Sequence, residues 1–223
     1  GEKEWGVNNL EVRSEGKEFV INQEPDQEAT QELVVYNLLK LFDIIQPCYE
    51  GTIKKTPVFF DSLQHDILTA PDPKGDRQTW SRYSKFMRSA LAFKPPVVRA
   101  GLITNVYKVL ALPIIVKNVN FQPILKKLGD DWRSCARQLE PFILVYKYRN
   151  DISENFIYDK WEQNHWNVVK YSRHFIEHVV LYLKSNSLLH DIGIIEMMVA
   201  RCLERYIARS MRAIVMEYGV NGM

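Results

Sequence analysis

Residues 174–178 read His-Phe-Ile-Glu-His. On a helix, H-x-x-E-H sets two imidazoles one turn apart where they can hold zinc, with a carboxylate to polarise a metal-bound water. At about 100° per residue, His174 and His178 lie roughly 40° apart at the polar edge of the helix, so both rings can reach one ion. A hydrolytic site needs a third ligand, and the nearest acidic residues are Glu196 and Glu204 on the following helix. That spacing is shorter than hydrolases with this motif use. Five residues with three fixed positions also arise by chance in a polar helix, so a zinc hydrolase built on His174, Glu177 and His178 is the remote alternative. No metal or cofactor is expected.

Glu162-Gln163-Asn164-His165 reads E-x-x-H, the element that di-iron bundles use twice together with two further glutamates. Only one copy is present, and His165 projects from the opposite side of the helix to His174. It reads as a packed or capped histidine near Trp161 and Trp166. There is no G-x-S-x-G, phosphate-binding loop or dinucleotide fingerprint, and only ten glycines. The chain leans away from enzymes.

Two basic stretches carry the stronger signal. Residues 77–88 interleave Arg77, Arg82, Lys85 and Arg88 with Trp80, Tyr83 and Phe86 and contain no acidic residue. Cations neutralise phosphates while aromatic faces stack unpaired bases at about 1 to 3 kcal/mol per base, so the mixture suits single-stranded nucleic acid. The competing reading puts Trp80, Tyr83 and Met87 in a buried stripe with the cations as its solvated back. Near the C-terminus, Arg201, Arg205, Arg209 and Arg212 fall within about 80° of one another, opposite an apolar face. Guanidinium groups are planar, bidentate donors to phosphate or carboxylate, so an all-arginine ridge favours recognition of an anion. Glu204 can pair with Arg201. For the other three the sequence offers no obvious acidic partner within their own helix, and the expectation is that either the acidic N-terminal segment, of the same or a neighbouring molecule, or an external anion satisfies them.

The elements that position these residues belong to a chain of 223 residues, 46% hydrophobic and 25% charged, an ordinary globular make-up long enough to bury a core without disulfides or metal. The longest apolar runs, Leu110–Val116 and Phe142–Tyr146, are far too short to span a bilayer, and the opening Gly-Glu-Lys-Glu-Trp lacks the basic and apolar regions of a signal peptide. No membrane association is expected. Cys48, Cys135 and Cys202 are odd in number, widely spaced and set among apolar neighbours, which reads as reduced core thiols in an intracellular protein, cytoplasmic or nuclear. The net charge of +2 hides an uneven layout. Residues 1–50 hold four basic and eleven acidic residues (−7), residues 51–150 seventeen and seven (+10), and residues 151–223 eight and nine (−1). A basic middle behind an acidic start fits an anionic partner or self-association between unlike regions.

Periodicity and punctuation make the chain mainly α: a single compact multi-helix domain over residues 26–223, behind an acidic segment, residues 1–25, that can form a short β-hairpin from Leu10–Arg13 and Glu18–Ile21. Helices are expected from Asp26 until Pro47, from Arg77 (capped by Asp76) to about Phe93, over Val97–Leu112 and over Pro123–Leu128. Further helices are expected over Asp131–Tyr148 (capped by Asp130 and interrupted near Pro141), from Ser153 to about Lys184, and over Ile192–Tyr218 ending at Gly219. Thr52–Phe60 reads as extended, and Ala70–Asp76 as a loop. The last two helices each carry a wide apolar face and should pair. The composite expectation is a non-enzymatic nucleic-acid-binding or assembly protein, coat- or nucleoprotein-like, using the basic-aromatic helix and the arginine ridge. The alternative is a protein–protein interaction scaffold. Expected partners are therefore single-stranded nucleic acid, further copies of the chain, or another protein.

Overall fold

The computed structural model describes residues 10–13, 18–21, 30–50, 56–111, 126–148, 161–182 and 191–219. Within them the protein is mainly helical, with α1 (Gln31–Glu50), α2 (Phe60–Leu68), α3 (Arg77–Arg88), α4 (Pro96–Ala111), α5 (Trp132–Ala136), α6 (Glu140–Tyr148), α7 (His165–Tyr182) and α8 (Ile192–Tyr218). Among the described residues no helix is long and apolar enough to cross a membrane. The chain divides into two compact units, residues 1–83 and 84–223. Charge alone puts a boundary near residue 25 and one helical domain beyond it. Packing puts the division inside α3, because α1 packs on α2 while α4, α5 and α7 pack on α8 and α6 packs on α7.

In the first unit the Thr30 hydroxyl accepts a hydrogen bond from the Leu33 amide (3.2 Å) and caps α1. Pro47 does not stop this helix, as its position suggested. It lies inside the last turn, where it forfeits one hydrogen bond, and the helix runs on to Glu50. The extended piece expected over Thr52–Phe60 is replaced at its end by α2, and residues 51–55 lie outside the described set. Phe59 turns the chain into α2 in the left-handed region (φ 71°), a costly conformation for a bulky residue. Burial of Phe59, Phe60, Leu63 and Ile67 offsets that cost. Asp76 caps α3 as expected, its carboxylate accepting from the Thr79 amide (2.7 Å) and hydroxyl (2.6 Å). The helix ends at Arg88 and not near Phe93. The Ser89 hydroxyl donates to the Lys85 and Phe86 carbonyls, and Leu91–Phe93 form a 3-10 turn.

In the second unit α4 starts on Pro96, whose missing N–H costs nothing at a first helical position. The helix expected over Asp131–Tyr148 is interrupted near Pro141 as expected, the break falling at Arg137–Leu139, and its cap is Asp131 rather than Asp130. The Asp131 carboxylate accepts from the Arg133 amide (3.1 Å) and from Arg133 Nε (2.7 Å). Of the helix expected over Pro123–Leu128, residues 123–125 lie outside the described set. Its end is not helical, since Leu128 exchanges hydrogen bonds with Gln163 (2.8 Å each).

The helix expected from Ser153 begins only at His165, and residues 151–160 are not described. Its cap is Asn164, whose Oδ1 accepts from the Asn167 amide at 2.8 Å. Asn167 is buried and donates from Nδ2 to that same oxygen. α8 matches its expected limits. Asp191 accepts from the Gly193 and Ile194 amides, and Gly219 closes the helix at φ 58°. α7 and α8 pack extensively on one another, and Trp132, Tyr146, Trp161 and Tyr171, all fully buried, form one aromatic cluster against them.

Candidate nucleic-acid interface

The arginine ridge lies along α8. Arg201, Arg205 and Arg209 are exposed and Arg212 is half-buried, while Val199, Leu203, Tyr206, Ile207 and Ile214 fill the opposite, core-facing side. With 3.6 residues per turn, each step of four along this ridge advances about 6 Å, so the three exposed guanidinium groups form a row.

The ridge has an acidic partner that sequence reasoning did not identify. Asp130 stands beside α8, and its Oδ2 lies 3.6 Å from Arg205 Nη2 and 3.4 Å from Arg209 Nη1. The expected partner was the N-terminal acidic segment or an external anion; the carboxylate found there comes from the loop ahead of α5. One carboxylate between two guanidinium groups leaves an excess of positive charge. Arg205 is further anchored by Tyr206: Nη2 donates to the phenol oxygen at 2.8 Å, and the guanidinium lies 4.8 Å from the ring centroid. His165 sits behind the ridge with Nδ1 3.1 Å from Ser210 Oγ, and burial, then the charge of Arg209, hold its imidazole below the usual histidine range.

The basic-aromatic helix meets its expectation on one side only. Arg77, Lys85 and Arg88 are exposed and Arg82 is half-buried. Tyr83 is buried with its hydroxyl donating to the Asp66 carbonyl (3.2 Å), Phe86 is buried, and Trp80 is half-buried against Tyr83 (5.7 Å between centroids). The rings of Tyr83 and Phe86 are buried and offer no face to a base; of the stripe Trp80, Tyr83 and Met87 only Tyr83 is buried, the other two being half-buried. A half-buried column exists elsewhere, where Tyr107 stacks on Trp166 (5.2 Å, 13° between planes) and the Arg173 guanidinium lies 5.0 Å from the Tyr107 ring centroid. Residues 59 positions apart gave no local sign of that contact.

His174 and His178 do come together, with ring centroids 4.5 Å apart. Glu177 is engaged elsewhere, in an ion pair with Arg173, and its carboxylate is 4.0 Å from His178 Nε2. Glu196, one of the two candidate third ligands, is fully buried and held by Arg99, with Nε to Oε1 and Nη2 to Oε2 both at 2.7 Å. Among the described residues no group of three or more His, Cys, Asp or Glu side chains is placed to hold a metal ion. Trp161 neighbours His174 (6.3 Å between centroids), whereas the polar contact of His165 is Ser210.

The Arg99–Glu196 pair escaped the sequence reading although it left a trace. On a helical wheel Arg99 lies about 20° from Val106 and Glu196 about 20° from Leu203, so each charge interrupts an apolar face. The three cysteines are free thiols. Cys48 is exposed and so is not the core thiol expected, and burial, then the neighbouring Cys135, push the Cys202 thiol up to about 12. Comparison of the chain with protein-family models, curated proteins and solved structures finds no match.

Proposed function

We propose that this chain is a non-enzymatic nucleic-acid-binding assembly protein, coat- or nucleoprotein-like, that holds single-stranded nucleic acid by its phosphates. The observation that carries the reading is the row of exposed Arg201, Arg205 and Arg209 on α8 with one carboxylate, Asp130, between two of them. Exposed Arg77, Lys85 and Arg88 of α3 are read as further phosphate contacts, acting by charge without base stacking. Residues 1–25 are read as an acidic arm that contacts basic surface on another copy during assembly; within it the strands Leu10–Arg13 and Glu18–Ile21 pair, with Leu10 opposite Ile21 and Arg13 opposite Glu18.

The test is fluorescence anisotropy with labelled single-stranded RNA and DNA oligonucleotides over a salt series. Affinity falls steeply between low and moderate salt, and Arg205→Ala and Arg209→Ala each reduce the slope of log affinity against log salt by about 0.7 to 1. Binding that is absent, or indifferent to salt, overturns the reading.

A protein-interaction scaffold is the second reading, and one feature favours it. Val97, Val98, Ile192 and Ile194 are exposed apolar residues at the starts of α4 and α8. These helix starts approach closely, since a Cβ placed on Gly193 would lie 3.7 Å from Val97 Cγ2. Light scattering of the free chain separates the readings: oligomers that dissolve on Val97→Ser with Ile194→Ser favour the scaffold.

A further inference from the structure

The molecule makes its committed ion pairs short. Arg99 meets Glu196 at 2.7 Å through two parallel bonds, and Arg133 meets Asp131 at 2.7 Å. Asp130 is different. A single oxygen, Oδ2, stands 3.6 Å from Arg205 and 3.4 Å from Arg209, and all three side chains are about half exposed (58%, 50% and 48% for Arg205, Arg209 and Asp130). These contacts exceed the roughly 2.7 to 2.9 Å of a strong charge-assisted hydrogen bond. Arg209 Nη1 donates a long hydrogen bond to the oxygen that Arg205 also approaches, while Tyr206 holds Arg205 through its hydroxyl and ring.

We infer that Asp130 is an internal stand-in for a backbone phosphate of single-stranded nucleic acid: Arg205 and Arg209 form one phosphate site, and the incoming phosphate displaces the Asp130 carboxylate. This inference rests on the proposed function and specifies its site. A phosphodiester carries two unesterified oxygens and can give one to each arginine, where the carboxylate shares a single oxygen between both. Arg205 is already ordered by Tyr206, so little side-chain freedom is lost on binding. Asp130 needs no partner once released, because it is exposed and water solvates it. The displaced charge stays nearby and opposes the ligand, so the native site binds more weakly and with a lower salt dependence than two free arginines would.

The experiment compares the full chain with Asp130→Asn, Arg205→Ala/Arg209→Ala and the triple variant, using a fluorescein-labelled uridylate oligomer over a salt series. Glu217→Gln, another exposed carboxylate of α8, serves as the control for bulk charge. Asp130→Asn should tighten binding about fivefold near 0.1 M salt and steepen the salt slope by about 0.7. In the Arg205→Ala/Arg209→Ala background both gains should shrink to the size of the Glu217→Gln gain, which persists there. A second readout is the His165 ring, followed by NMR while inorganic phosphate is added. Neutralising Arg209 should raise its titration midpoint in the native chain, and by more in Asp130→Asn. If the native chain binds with a clear salt slope but Asp130→Asn gains no more than Glu217→Gln, or its full gain survives loss of both arginines, the stand-in idea is overturned and the proposed function stands. If no variant binds the oligomer, the proposed function itself fails and takes this inference with it.

Discussion

Replacing Arg99 by Met tests the packing logic of the second unit. Glu196 has no solvent exposure and Arg99 only 5%, so the substitution strands a carboxylate in the core beside a side chain of similar length. Arg99 also donates to the Lys94 carbonyl (3.0 Å), so a backbone acceptor loses its donor as well. Removing one member of a buried pair costs about 3 to 5 kcal/mol. Against a urea dependence of roughly 2 kcal/mol/M, this lowers the unfolding midpoint by roughly 1.5 to 2.5 M. Arg99→Met combined with Glu196→Leu leaves no buried charge and should recover to within about 1 to 2 kcal/mol of the native chain.

The single variant also carries a pH signature. Burial already pushes the Glu196 carboxyl up, against the pull of Arg99, and loss of the guanidinium leaves burial unopposed. A folded-state value above that of the unfolded chain means that the penalty is small at low pH and grows as pH rises through the folded value. Arg99→Met should therefore be less damaging at pH 5 than at pH 7. Urea unfolding followed by far-UV circular dichroism at both pH values reads all three quantities. A single variant that loses less than about 1 kcal/mol, or a double variant no better than the single, refutes the reasoning.

Two further outcomes follow from the same geometry. Asn164→Ala removes the cap of α7 and the 2.8 Å bond from its Nδ2 to Glu162, at a buried position, and should cost about 1 to 2 kcal/mol in urea unfolding; a change within about 0.3 kcal/mol would show that α7 does not depend on this cap. His165 is held below its ordinary value of 6.5 by burial and then by Arg209, so the unfolded chain takes up its proton first as pH falls. Stability should drop between the ordinary and the depressed value, level off below it, and lose that component in His165→Gln; parallel stability–pH curves for the two proteins would contradict this.

α8 ends at its Gly219 signal with its arginines on one face, and α4 lies within one residue of its expected limits, because a C-terminal glycine and 3.6-residue periodicity act within a turn or two of chain. The aromatic and β-branched residues of Thr52–Phe60 suggest an extended piece and give no sign of the helix that starts at Phe60, whose left-handed entry at Phe59 is offset by burial of Phe59 and Phe60. The start of α7 was misplaced because Ser153 and Asn164 are both good caps, and contacts remote in sequence settle at least the described end of that choice.

The candidate interface divides in the same way. The amino-acid sequence by itself determined that four arginines share a helix face and that α3 mixes cations with aromatics. Tertiary structure decided that Tyr83 and Phe86 are core, that Glu196 belongs to Arg99, and that a carboxylate 79 residues away in the chain stands between Arg205 and Arg209. The reason is range: backbone hydrogen bonding orders neighbours one turn apart, whereas the pairing of one charge with another depends on which surfaces the hydrophobic core brings together.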